Sequence, residues 1–216
     1  MLRIRTFLFL LAVLPLTGAA QKVNLSDSLS NAFQLKPTLT AKLDTRNSFI
    51  TGNSAQVRGV KAGLSFGDRL QVGLGYNWLS TDFNQMVPTP DGTAEGRISF
   101  WYIAPYIDYV FYRKGNWMAD IPVQLGFGRS AVNYTWQGNS KQQDKGGFIL
   151  YEPTMVIEYQ VLGLIGIGGG LGYRLMLVNN RELDQQFTSP VYQIRFRVIF
   201  SGLKQWWNDQ QPEASE

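Results

Sequence analysis

Eight times between Leu35 and Ser201 the chain alternates apolar and polar side chains with a period of two. Only an extended strand turns successive side chains to opposite faces, so each stretch predicts a β-strand with one apolar side. The first sets Leu35, Pro37, Leu39, Ala41 and Leu43 against Lys36, Thr38, Thr40, Lys42 and Asp44. The second sets Val60, Ala62, Leu64 and Phe66 against Lys61, Gly63 and Ser65, and the third runs from Leu70 to Trp78 after a tight Gly67-Asp68 turn. Ile98–Tyr112 is nearly apolar on both parities. Trp117–Phe127 turns Asp120 and Gln124 to its polar side, Ile149–Tyr159 turns Glu152, Thr154 and Glu158, Ile165–Leu177 turns four glycines and Arg174, and Tyr192–Phe200 turns Gln193, Arg195 and Arg197.

The connections alternate as the residues do. Long ones are expected at Asn47–Ser54, Thr81–Arg97, Gln137–Gly147 and Asn179–Ser189, and short ones at Gly67-Asp68, Arg113–Asn116 and Leu162-Gly163. Long loops on one rim and short turns on the other describe an antiparallel up-and-down meander of even strand number, an all-β fold.

Period two leaves open whether the apolar face meets a core or lipid, so the polar face has to decide. It is built mostly of Gly, Thr, Gln and Asn, with charges of both signs on different strands. That composition suits a crowded interior more than a face in water, and eight strands enclose a space only wide enough for side chains to fill. Charges enclosed there must pair, because lost hydration is otherwise uncompensated. Arg174, Arg195 and Arg197 are therefore expected to pair with Glu152, Glu158, Asp44 or Asp120 in a filled lumen. The apolar face carries Trp78, Trp117, Tyr112, Tyr151, Tyr159, Tyr173 and Tyr192, many near strand ends, as the interfacial girdles of a membrane barrel would. Arg58 and Arg129 share the outward parity near the long-loop ends, where an arginine either snorkels to water or offers its planar fork to lipid phosphates; the second reading makes them contacts for lipopolysaccharide.

The first twenty residues have two arginines, an apolar stretch and a small-residue close at Gly18-Ala19-Ala20, the order of parts in a secretory signal peptide cleaved after Ala20. Residues 21–34 then form a periplasmic N-terminal segment, 35–201 the transmembrane β-barrel with periplasmic termini, and 202–216 a periplasmic tail in which Trp206-Trp207 is expected to anchor at the interface. Losing Arg3 and Arg5 leaves 18 basic against 16 acidic residues, which offers no footprint for nucleic acid.

The chain contains no His and no Cys. A thiolate metal site is excluded, and the commonest general base near neutral pH is missing. Glu152 and Glu158 share a strand but stand about 20 Å apart at roughly 3.3 Å per residue, too far to act on one bond. The glycine-rich Gly166–Gly172 lies inside a strand with no helix following, so it does not make a phosphate loop, and its glycines are expected to make room for long lumen side chains. No catalytic residues, metal or cofactor are expected.

With these residues in view, the sequence resembles the small eight-stranded outer-membrane barrels of the OmpA/OmpX type over Gln34–Ser201. The most specific piece is Tyr192–Phe200, similar to the aromatic-ended final strand read by the barrel-assembly machinery, although here sixteen residues follow it. The resemblance implies the bacterial outer membrane, a non-enzymatic structural, adhesive or complex-accessory role through loops or barrel wall, and lipids, lipopolysaccharide, the assembly machinery and a larger outer-membrane complex as partners. A small channel and a soluble lipocalin-like binder are the alternatives.

Overall fold

The computed structural model describes residues 33–50, 53–67, 69–82, 84–179, 187–200 and 202. The expected leader, its cleavage site, and the Trp206-Trp207 anchor lie outside these residues, as does Asp68 of the first short turn. The strands are β1 (Pro37–Ile50), β2 (Asn53–Phe66), β3 (Leu70–Leu79), β4 (Asn84–Thr89), β5 (Gly92–Lys114), β6 (Trp117–Trp136), β7 (Asn139–Val161), β8 (Ile165–Val178) and β9 (Ser189–Ile199). All pairings are antiparallel.

The sheet closes on itself. β9 pairs back to β1 over Thr40↔Ile199 to Ser48↔Val191, and β3 skips β4 to pair with β5 over Leu70↔Tyr109 to Trp78↔Trp101. β4 therefore stands outside the ring, which consists of β1–β3 and β5–β9, the eight strands expected. Closure removes the free edges that an open sheet would expose.

The pleat sorts residues as the alternation requires, with the polar side inward. Leu39, Leu43, Ile107, Met155, Leu171 and Ile194 are exposed on the outer wall, while Lys42, Asp44, Asp120, Glu152, Glu158, Arg174 and Arg195 are buried. A soluble barrel would bury the first set and hydrate the second, so the lipocalin-like alternative does not fit this wall. A tube with an apolar outside and a charged inside is stable only where the surrounding medium is itself apolar. Both described ends lie at the short-turn rim: the Phe33 ring is 5.1 Å from that of Phe66, and Gly202 packs on the Gly163 carbonyl.

The long-loop rim departs from the expectation. β1 and β2 remain paired up to Ile50↔Asn53, so the loop expected at Asn47–Ser54 is mostly strand. The loop expected at Gln137–Gly147 is a two-residue turn, Gln137 (φ 50°) and Gly138 (φ 76°), with both central residues left-handed as a type I′ hairpin requires. Thr81–Arg97 contains β4 and the start of β5, joined through Pro90-Asp91. The physical reason is common to all three. Where a strand rises out of the membrane with water on its outer side, outward residues no longer need to be apolar, and the period-two signature fades while the hydrogen-bonded ladder continues.

The result is a four-stranded blade of β4 and the upper halves of β5, β6 and β7, extending past the ring. Gly92–Phe100 alone adds roughly 30 Å of strand beyond the β3 pairing at about 3.3 Å per residue. An epitope inserted between Asp91 and Gly92, where a side chain at Gly92 would meet no atom within 4 Å, should bind antibody on intact cells. One inserted at Gly115 should become accessible only after the outer membrane is permeabilised.

Candidate functional site

The lumen has two layers, a charged one below and an apolar one above. In the charged layer Arg174 Nε donates to Glu152 Oε2 at 2.6 Å, and Arg46 Nε approaches Glu152 Oε1 at 3.2 Å. Arg46 also reaches Asp44 at 2.7 Å, the Asn77 amide oxygen at 3.0 Å and the Tyr102 hydroxyl at 2.8 Å, while Lys61 sits 3.2 Å from Asp44. Nearer the short-turn rim Arg195 grips Asp120 through both terminal nitrogens, at 2.8 and 2.5 Å, the planar fork that a guanidinium offers a carboxylate. Arg195 lies 3.2 Å and Arg197 2.5 Å from Glu158, and Lys42 pairs with Asp108.

The structure thus brings Arg174 to Glu152, Arg195 to Asp120 and Glu158, and Arg197 to Glu158. Asp44 differs from the expectation: it meets none of these three arginines. It lies directly across from Arg195 in the β1–β9 ladder, yet the long Arg195 side chain reaches over the lumen to Asp120, and Asp44 takes the nearer cations Arg46 and Lys61. The network also takes in Lys42 and Lys61, which lie on the polar parity of their strands, and Arg46 and Asp108, which the alternating stretches do not mark. Arg46 continues the parity of Lys42 and Asp44 past the last residue of the alternating stretch, just before the loop expected from Asn47. Asp108 is the lone charge within Ile98–Tyr112, which is itself a signal, since a solitary carboxylate in an apolar strand must face a polar interior.

Glycines make the network possible. A Cβ at Gly166 would lie 2.0 Å from Glu158 Oε1, so the bare backbone there is the space the carboxylate occupies. At Gly63 and Gly73, facing each other across β2 and β3, a Cβ would lie 2.6 and 2.7 Å from the Tyr106 hydroxyl. The Gly166–Gly172 stretch thus serves sterically.

The upper layer is an apolar plug. Phe100 stacks on Phe148 with ring centroids 4.3 Å apart and on Phe187 at 4.5 Å. Val57, Val87, Ile98, Val132 and Leu150 fill the space around them, with β4 contributing Val87 and the β8–β9 connection contributing Phe187. The near-continuous apolar character of Ile98–Tyr112 has its reason here: Ile98, Phe100, Tyr102 and Ala104 face this plug on one side of β5, while Trp101, Ile103 and Ile107 face the outer wall on the other.

On the outer wall, Trp117 and Tyr159 meet edge to face at 4.9 Å near the short-turn rim, and Tyr76 lies 5.8 Å from Trp78 and 6.1 Å from Trp101 near the opposite rim. These are the two aromatic girdles. The twelve steps from Trp117 to Arg129, at roughly 3.3 Å each on a strand tilted about 40°, climb about 30 Å, the height of the apolar band. Arg58 and Arg129 both face outward in one cross-strand row, Arg58–Trp78–Trp101–Arg129, so two tryptophans separate them by three strand spacings, about 14 Å. The two arginines therefore do not form one site.

Among the described residues no group of three or more Asp or Glu side chains is placed to hold a metal ion. The fold matches solved outer-membrane barrels. Neisserial surface protein A superposes with a TM-score of 0.53 at 14% identity over 76% of this chain and 99% of that one. The attachment invasion locus protein Ail of Yersinia pestis gives 0.47 at 11% identity over 75% and 96%, and a major outer membrane protein of Thermus thermophilus gives 0.49 at 10% over 74% and 99%. Neither family models nor curated proteins match the sequence. By its fold the molecule is a small eight-stranded up-and-down β-barrel, the fold of the solved outer-membrane barrels of the OmpA/OmpX type, with an apolar outer wall suited to a membrane.

Removing one partner of a buried pair leaves the other charge stranded, at a cost of about 3–5 kcal/mol. Glu158→Ala strands Arg197 and should lower the unfolding midpoint, read as the loss of the faster-migrating folded band on a detergent gel, whereas Asp91→Ala at the blade tip should leave it unchanged. Gly166→Val, which removes no charge, should destabilise the barrel comparably by displacing the Glu158 carboxylate.

Proposed function

We propose that the protein is non-enzymatic and works by contact, in an adhesive, structural or complex-accessory role, through the blade that stands outside the membrane. The observation behind this reading is the division of the chain between a filled lumen and an extended sheet. A channel needs a continuous wet path, and here the stacked Phe100, Phe148 and Phe187 lie above a layer in which carboxylates and cations are committed to one another. The same commitment argues against catalysis, since Glu152 and Glu158 are held by arginines and turned away from any substrate that could approach from the surface.

The blade is built for presentation. Its strands are fixed by backbone ladders, Met86 is 69% exposed, and Lys141 sits 4.0 Å over the Trp136 ring. Its ion pair Arg97–Asp82, at 2.9 Å, is exposed on both sides and adds little to stability, which leaves both groups usable by a partner. Lipids and lipopolysaccharide around the wall, with Arg58 and Arg129 toward the outer leaflet, the assembly machinery reading Tyr192–Phe200, and a larger outer-membrane complex belong to the same proposal.

The full-length barrel in a planar bilayer should show no stepwise ion current. In detergent extracts, a partner retained by the wild type should be lost when Gln85–Glu95 is replaced by a short turn, with heat-modifiable migration intact. Discrete conductance, or equal retention by both forms, would overturn the reading.

A further inference from the structure

The outer wall is not smooth at the upper girdle. Between β5, β6 and β7 it dips into a hollow of about 510 Å³ lined by Ser99, Trp101, Arg129, Gln142, Lys145 and Gly147, among others. Its origin is a slip in pairing: the β6–β7 register shifts between Ser130 and Val132, and Asp144 adopts a left-handed backbone (φ 54°) to absorb the extra residue. Gly147 lies directly across from Arg129, and a Cβ there would meet only the Gly128 carbonyl at 3.9 Å, so the place beside the guanidinium is open.

The chemistry round this hollow is not that of the rest of the belt. Arg129 and Lys145 are both exposed, and neither forms an ion pair with another described residue. Trp101, cross-strand from Arg129, lines one side, while the Gln142 amide and Ser99 hydroxyl supply neutral hydrogen-bonding groups. Asp144, at the bulge, has an interaction of its own. Below the hollow the wall is apolar, with Ile103 and Phe127 exposed.

We propose that this hollow binds the phosphorylated sugar headgroup of an outer-leaflet glycolipid of the lipopolysaccharide class. Arg129 offers its planar fork to a phosphate and Lys145 a second, mobile charge. Trp101 packs against a sugar face, Gln142 and Ser99 hydrogen-bond its hydroxyls, and the acyl chains continue down over Phe127 and Ile103. The lipid is favoured over free phosphate because cup and apolar belt are continuous. The proposal rests on the reading that these strands cross the outer membrane, and it replaces a diffuse rim contact by Arg58 and Arg129 with one site that excludes Arg58.

The test uses the full chain in phosphatidylcholine nanodiscs, as wild type, Arg129→Gln/Lys145→Gln, and Arg58→Gln. Titrated lipopolysaccharide should bind the double variant about tenfold or more weaker, the loss of two charge-assisted contacts, and bind Arg58→Gln as it does the wild type. Inorganic phosphate at the same concentrations should not compete. Equal weakening by Arg58→Gln would mean a diffuse basic rim and overturn the site, and saturable binding of inorganic phosphate that displaces lipopolysaccharide would overturn the lipid as its source. Phosphatidylglycerol binding as tightly as lipopolysaccharide would overturn the sugar. Insertion into nanodiscs and heat-modifiable migration are read on every sample; failure of the wild type in these would count against the membrane barrel itself, a result distinct from loss of binding in an inserted variant.

Discussion

Charges with no route to water hold this molecule in register. β1, β2 and β5–β9 each send at least one carboxylate, guanidinium or ammonium group into the lumen, where Arg195 alone touches Asp108, Asp120 and Glu158. With lipid outside and a packed interior, each such group depends on its partners for the solvation it has lost. A one-residue slip of any of these seven strands would turn its lumen charge onto the lipid face. The network therefore specifies alignment more than it adds net stability, because a buried ion pair roughly balances its own desolvation.

Other features follow from fitting these groups into a narrow tube. The glycines of β8 leave the space that Glu158, Val156 and Thr154 of β7 occupy, and the Glu158 carboxylate seated there meets Arg195 and Arg197. Above the charges the lumen changes character, and Phe100, Phe148 and Phe187 seal it with stacked rings. With paired charges in one layer and stacked rings in the other, the interior is given over to packing, and the outer wall and the blade are the surfaces open to partners.

Those two surfaces differ in what surrounds them. The wall meets acyl chains and can recognise only where its apolar belt is interrupted, as it is at the β6–β7 bulge beside Arg129 and Lys145. The blade stands in water and exposes both polar and apolar side chains on a rigid ladder. A bulge in one pair of strands and an added strand, β4, are small local events, yet they shape the hollow of the wall and the blade.

The strand count of the ring was legible in the alternation itself, and the facing of its strands and the membrane setting in the make-up of the polar face, because a strand with lipid on one side and a packed lumen on the other must be apolar at every second residue and carry small or paired polar groups between. Lumen charges on clean strands, such as Glu152, Glu158, Arg174 and Arg195, stood out for the same reason. Arg46 and Asp108 did not, one lying past the apparent end of its strand and the other inside a doubly apolar run whose second apolar face proved to be the plug. Who pairs with whom was settled only in three dimensions: Arg195 passes over its ladder neighbour Asp44 to reach Asp120 across the barrel, a distance in sequence that no local pattern encodes. The blade was hidden as well, since strands such as β4, with their outer side in water, need no alternating code, and backbone hydrogen bonding, which every residue but proline can supply, is what holds them.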